Sequence, residues 1–343
     1  MSTPFPLLNL PSTSLLNVIQ FMEFSDFVIL SFLSKRAKQS VELNSIKCDY
    51  ICFNIKDSVI ICMAIDKKRI KWVFEDRKRN KRSKKPVPLP DNVTLEIEKE
   101  GKWSKRWSMK KLSVRKWITH FKTLFQLTEF TICLCSNCHV FDMEDVRNTF
   151  PEVKTLHIWS DSVPDIDFLV RSFPTRNLDL EGCFEMLRHR RQVLIQNFDE
   201  LVIFPGSIRP TPIDLDDLLL INGKRIIVHD TKLTEKDLNR FIKLWIKGSN
   251  PRMEELILRI LLREEELDIE NILKGISCHQ MNVKKPITFK ATSGRPVSFS
   301  GVIDYVVRFD GTKASIELSF DEDSNSDTLE MRVWHSHCFQ SAQ

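Results

Sequence analysis

The sequence predicts a mixed chain of the α+β and α/β classes. Three short N-terminal helices precede a strand–helix repeat array with β-meander units at both ends. Three observations lead there. Apolar residues recur three and four apart between Leu10 and Ala37, which is helical spacing. Apolar and polar residues alternate between Ile51 and Phe74 and again between Asp304 and Trp334, which is strand spacing. Between these regions, apolar pairs of the Leu-x-Leu kind return at steps of 26, 22, 23, 25 and 30 residues, a period that indicates stacked units.

The N-terminal stretch reads Leu10-Pro11, Leu15, Val18, Ile19, Met22, Phe24, Asp26, Phe27, Leu30-Ser31 and Leu33-Ser34-Lys35-Arg36-Ala37. Ser25 and Ser34 interrupt the pattern as N-cap types, so three helices are expected, breaking near Glu23–Ser25 and Leu33–Ser34. Three short helices cannot bury all these side chains among themselves, and some of the apolar surface should be an interface. In this order the residues resemble an F-box, the motif that docks on the Skp adaptor of cullin-based ubiquitin ligases. The resemblance occupies residues 1–45 and departs from the usual pattern at Phe27, Phe32 and Ala37, in each case one apolar residue for another. It implies that Leu10, Pro11, Leu15, Val18, Ile19, Met22, Leu30 and Leu33 bind the adaptor. Pro11 should fix the start of the first helix, where a missing N–H costs nothing.

The 343 residues suffice for two or three domains, and 42% hydrophobic with 28% charged residues is ordinary for a soluble globular protein. No stretch approaches the length of a membrane span, and the start lacks a signal-peptide pattern. Nine cysteines without such a signal suggest a reducing compartment. The expected location is intracellular, either cytoplasmic or nuclear.

Residues 46–125 should form a β-meander. Ile51/Phe53/Ile55, Val59–Ile65 and Ile70/Trp72/Phe74 give three strands, and Val93/Leu95/Ile97 a fourth. Residues 77–90 hold Arg77-Lys78-Arg79, Lys81-Arg82, Lys84-Lys85 and then Pro86, Pro88 and Pro90, and read as a loop. The charge is uneven. Asp66–Lys122 has 20 Lys and Arg against 7 Asp and Glu, whereas the first 65 residues balance 5 against 5.

Residues 126–290 carry the repeat. Its pairs are Phe130/Ile132, Leu156/Ile158, Leu178/Leu180, Leu201/Ile203, Ile226/Val228 and Leu256/Leu258. Helix-like segments lie between them at Met143–Phe150, Ile166–Phe173, Phe184–Ile195, Leu215–Ile221 and Leu238–Trp245. One strand and one helix per unit in the twenties is the mark of a leucine-rich-type solenoid, here degenerate because no Asn follows each strand. Thr234 followed by Asp237 makes a capping-box start. Leu238, Phe241 and Trp245 share a helix face, Gly248 ends the helix and Pro251 blocks its restart. Together these residues, over about 201–262, resemble the type 2 F-box-associated module of an expanded nematode F-box family, which implies a substrate-binding role. Residues 291–343 close the chain with a second β-meander, built on Asp304–Phe309, the turn Asp310-Gly311, Lys313–Phe320 and Leu329–Trp334. It is expected to cap the array.

Little in the sequence points to catalysis. There is no phosphate-cradling glycine loop and no Gly-x-Ser-x-Gly elbow. Cys133, Cys135, Cys138 and His139 place four donors within seven residues, but zinc sites usually pair two separated knuckles. The favoured reading has Cys133 and Cys135 as small hydrophobes on a strand. His335 and His337 near the C-terminus sit where a frayed end would hold no preorganised site. No cofactor and no metal are expected.

The function expected is therefore target recognition for a Skp–cullin–F-box type ligase, through a Skp-type adaptor and without a catalytic set. Residues flanking the buried pairs should point outward toward a protein target: His157, Trp159, Asp179, Glu181, Ile227, His229 and Arg259, with Trp159 first. For Trp159, packing against the next repeat is the equal alternative. The rival function is a nuclear or nucleic-acid-associated binding protein led by the basic segment 67–122, where Trp72, Trp103, Trp107 and Trp117 are interleaved with Lys and Arg. Against it, Trp72 alternates with Ile70 and Phe74 as a core residue would.

Overall fold

The computed structural model describes residues 7–43, 48, 50–65, 68–75, 86–90, 93–99, 102–109, 113–159, 165–206, 210–261, 267–321 and 326–340. It forms two compact units, one of residues 1–133 and 137–152, the other of 134–136 and 153–343. The basic loop Arg77–Lys85, the acidic run Glu264–Glu266 and the side chains of Trp103 and Trp107 lie outside the described residues.

The first unit opens with α1 (Ser12–Gln20), α2 (Phe24–Leu33) and α3 (Lys35–Glu42). Pro11 occupies the N-cap of α1 with φ −52°, and its carbonyl accepts the Leu15 N–H at 2.9 Å. Ser34 caps α3 by accepting the Ala37 N–H at 3.1 Å. α2 begins at Phe24 with Glu23 as its N-cap, so the break falls ahead of the expected Ser25 cap. The helices close on Leu15, Ile19, Phe27, Val28, Leu30, Ala37 and Val41, all at most 4% exposed.

Five antiparallel strands follow: β1 (Tyr50–Ile55), β2 (Val59–Ile65), β3 (Lys68–Glu75), β4 (Val93–Lys99) and β5 (Lys102–Met109). The pairing runs in sequence order, from Ile55↔Val59 to Lys99↔Lys102. The fifth strand was not foreseen, because its Lys and Arg obscure the apolar alternation. α4 (Val114–Leu124) carries Val114, Trp117, Ile118, Phe121 and Leu124 inward. Trp117 meets Trp72 at 5.8 Å and Phe74 at 5.6 Å between ring centroids, and both tryptophans are 0% exposed. They are core residues, so two of the four tryptophans of the basic segment are closed to a stacking base. β6 (Phe130–Cys135) and α5 (Met143–Thr149) complete this part. Phe53 joins Phe130 and Phe150 there at 5.6 and 5.0 Å.

The second unit alternates strand and helix: β7 (Val153–Trp159), α6 (Ile166–Ser172), β8 (Asn177–Glu181), α7 (Arg190–Leu194), β9 (Glu200–Phe204), α8 (Leu215–Leu220), β10 (Arg225–Thr231), α9 (Glu235–Ile246), β11 (Glu255–Leu261) and α10 (Ile269–Ile272). β7 to β11 are parallel neighbours in sequence order. Their apolar pairs, from Leu156/Ile158 to Leu256/Leu258, are all 0% exposed. The rule that such crossovers are right-handed puts the helices on one face, and α6 to α10 do pack on one another in order; the fully buried pairs lie on the parity that faces them. Caps set the helix starts. Asp165, Asp214 and Asp268 accept a first-turn N–H, and Thr234 with Asp237 forms the expected capping box. The expected helix Phe184–Ile195 is broken instead into a 3₁₀ turn, Phe184–Met186, and α7. The cause is Asp167. Its carboxylate is 5% exposed and accepts the backbone N–H groups of Arg188 at 2.9 Å and His189 at 3.0 Å, which holds the chain out of helix between the two pieces.

The sheet continues antiparallel through β12 (Cys278–Phe289), β13 (Val297–Val307), β14 (Lys313–Asp321), β15 (Ser326–Val333) and the short β16 (Phe339–Gln340). β15 pairs with β11, so the C-terminal strands cover the edge of the parallel set. The Asp310-Gly311 turn forms as expected, with Gly311 at φ 88° and the Arg308 N–H donated to the Thr312 carbonyl at 2.8 Å. β12 and β16 were not foreseen. β12 mixes His279, Gln280, Asn282, Lys284 and Lys285 into its length and carries Pro286, where its pairing with β13 shifts register between Val283 and Ile287.

Candidate functional site

Two surfaces and one side-chain cluster carry the functional geometry. The first surface belongs to the N-terminal helices. Of the eight residues expected to bind an adaptor, Leu15, Ile19 and Leu30 are at most 4% exposed and hold the helices together. Leu10 and Met22 are half-buried, and Pro11, Val18 and Leu33 are exposed. Phe21 at 90%, Leu33 at 65% and Leu43 at 71% are the most open apolar side chains of the region among the described residues. Phe21 and Leu43 stand just past the ends of α1 and α3, where helical spacing no longer signals them. Part of the surplus apolar surface is taken up by the chain itself. Phe32 stacks on His120 at 3.8 Å and meets Trp117 at 4.2 Å.

The second surface is the face of the parallel sheet opposite its helices. Register aligns its side chains into rungs. Thr155, Asn177, Glu200, Arg225, Glu255 and Arg332 form one. Along it, Arg225 bridges Glu200 and Glu255, the latter through Nε at 2.6 Å. Arg332 reaches Glu255 at 3.3 Å and Glu317 at 3.1 Å, and also pairs with Glu330. Glu255 and Arg332 are at most 5% exposed. Burial raises the pKa of Glu200 even against Arg225, with Asp179 and Glu255 adding to the rise.

The next rung pairs His157 with Asp179, Nδ1 to Oδ2 at 2.6 Å. Burial alone would lower the His157 pKa, but the hydrogen bond and charge of Asp179, with Glu200 and Glu181 behind, raise it. Farther along the strands, Trp159 is 56% exposed and sits in register with Glu181. His229 stacks on Phe204 at 4.0 Å, and burial with the charge of Arg259 lowers its pKa. All seven residues expected on this face are found there. Trp159 and Glu181 are exposed, while His157, Asp179, Ile227, His229 and Arg259 are half-buried.

The cluster was missed by sequence reasoning. Glu254, His337 and Cys338 bring their ligand-type atoms within 4.8 Å of one another. Glu254, 1% exposed, accepts the Thr292 N–H at 2.6 Å and its hydroxyl at 2.8 Å, and faces His337 Nε2 at 2.9 Å. Burial would raise the pKa of this carboxyl, but Thr292 and His337 hold it below the usual range. Burial, with Glu254 and Glu255 nearby, pushes the Cys338 thiol up to about 12. Residues 335–339 are held in place here rather than frayed. The Cys338 N–H bonds to the His335 carbonyl, and β16 pairs with β12. By contrast, Cys133, Cys135, Cys138 and His139 do not form a ligand set among the described residues. Cys133 is buried as expected, whereas Cys135, also expected inward, is half-buried, and Cys138 is buried.

Two family models match parts of the chain. The family model described as F-box domain matches residues 7–49, and the one described as F-box associated matches residues 189–258. A curated relative, the F-box associated domain-containing protein sdz-33 of Caenorhabditis elegans, is 22% identical over 328 residues, covering 92% of this chain and 94% of its own length. No solved structure matches the chain. No helix among the described residues is long and apolar enough to cross a membrane. The chain thus carries an F-box domain in its first unit and an F-box associated module in its second.

Proposed function

We propose that the chain is the substrate-recognition subunit of a Skp–cullin–F-box type ubiquitin ligase. F-box domains bind Skp-type adaptors, which link to a cullin. The observation that carries the reading is the apolar surface left open on the F-box helices at Val18, Phe21, Leu33 and Leu43, from 39% to 90% exposed. Large exposed apolar side chains of this kind mark partner surfaces. The F-box associated module lies in the strand–helix array, which we read as a degenerate leucine-rich-like array holding a protein target on its helix-free face. Trp159 is the open aromatic there. The receptor needs no chemistry of its own. Tethering raises the effective concentration of target lysines near the conjugating subunits. The reading implies an intracellular protein, cytoplasmic or nuclear.

Affinity capture of the tagged full chain with quantitative mass spectrometry tests this. A Skp-type adaptor and a cullin should co-purify, and should persist when Arg77–Lys85 is deleted. Loss of both on that deletion, with retention after Phe21→Asp and Leu33→Asp together, would transfer the function to the basic segment.

A further inference from the structure

We propose that Glu254, His337 and Cys338 form a binding site for a divalent transition-metal ion, with zinc the best chemical match. A carboxylate oxygen, an imidazole nitrogen and a thiol sulfur are the three ligand types that zinc takes from proteins. A tetrahedral ion sets such atoms about 3.3–3.6 Å apart. Here they lie within 4.8 Å of one another, and Glu254 Oε1 is already 2.9 Å from His337 Nε2. Binding therefore needs small movements of His337 and no rearrangement of the strands.

The site is built rather than accidental. Glu254 enters β11 fixed by two bonds from Thr292, the outer contacts that orient a ligating carboxylate. Cys338 is anchored on both sides, its N–H bonded to the His335 carbonyl and its own carbonyl accepting the Lys290 N–H at 2.7 Å. The sulfur is fully buried beside Glu254 and Glu255, the latter already neutralised by Arg225 and Arg332, so Glu254 is the anion available to an ion there. His337, with a side chain 58% exposed, gives the route from solvent. On binding, the ion replaces the thiol proton, which is released to water, and His337 binds through Nε2 as the neutral imidazole with its one proton on Nδ1. The fourth ligand position is left to a water molecule.

The test uses the full chain, stripped with a chelator and titrated with zinc against a chromophoric competitor, then with cobalt(II) as a spectroscopic stand-in. Wild type should bind zinc at this site, and cobalt should give a thiolate-to-metal charge-transfer band. His337→Ala, an exposed position that leaves the core intact, should weaken zinc binding at least tenfold. Cys338→Ser should abolish the band, while Cys278→Ser, at an exposed cysteine, should change neither reading. Equal zinc affinity in wild type and His337→Ala overturns the proposal, as does a cobalt spectrum without the band. Cys338 is then an apolar member of the small core that it shares with Phe289 and Phe299. If Cys338→Ser does not fold, the His337→Ala comparison decides alone.

Discussion

Ser31 Oγ and His120 Nε2 stand 2.5 Å apart across 89 residues of sequence, tying α2 of the F-box helices to α4. The Ser31 hydroxyl donates to the Val28 carbonyl, so the imidazole N–H must be the donor to Ser31. Burial, and then the charge of Lys38, lower the His120 pKa from 6.5 to about 4. The folded protein thus binds fewer protons than the unfolded chain between these values. Stability from this joint is complete above about pH 6.5 and declines as pH falls toward 4. Discounted for partial exposure, the loss is about 1–2 kcal/mol. Thermal midpoints of the full chain should fall over that window, and His120→Phe should flatten the fall. An equal slope in both proteins would remove His120 from the account.

Glu255 is the shared anion of Arg225 and Arg332. Replacing it with Leu leaves two largely buried guanidinium groups short of a partner, and should cost about 3 kcal/mol. Arg332→Leu alone should cost a similar amount. The double variant should cost clearly less than the sum, because each single change strands the other charge. Urea midpoints for the four proteins give the coupling, and strict additivity would contradict it.

Thr234 and Asp237 satisfy each other's backbone N–H groups at the start of α9. Thr234→Ala should lower stability by about 1 kcal/mol, read as a lower urea midpoint with unchanged slope. No change would mean that packing of Phe241 and Trp245 alone fixes that helix end.

Trp159 is more than half exposed, so it contributes little to the fold. Trp159→Ala should leave stability within about 0.5 kcal/mol of wild type while reducing recovery of target proteins in captures that still contain the adaptor. A large fall in stability would instead mean that Trp159 packs against its neighbouring strand.

Much of this was legible in the sequence for a physical reason. Buried parallel strands need apolar pairs on one parity, so Leu156/Ile158 and their successors announced both the strands and the outward residues between them. The capping box and the Asp310-Gly311 turn were readable because one or two local residues decide each. What stayed hidden depends on distant partners. β5 and β12 carry lysines that mask strand alternation, and Asp167 breaks a helix 21 residues away in sequence. Glu254 and His337 meet across 83 residues, and no spacing rule links them. Among the N-terminal helices, helical spacing identified the apolar residues but could not separate Leu15 and Ile19, which close the core, from Phe21 and Leu33, which face outward.

That separation gives the most direct test. Purified full chain should bind a purified Skp-type adaptor, and Phe21→Asp with Leu33→Asp should weaken binding at least a hundredfold, about 2.7 kcal/mol or more, with an unchanged thermal midpoint. Undiminished affinity in the double variant, with the fold intact, would contradict the claim that this face is the adaptor surface.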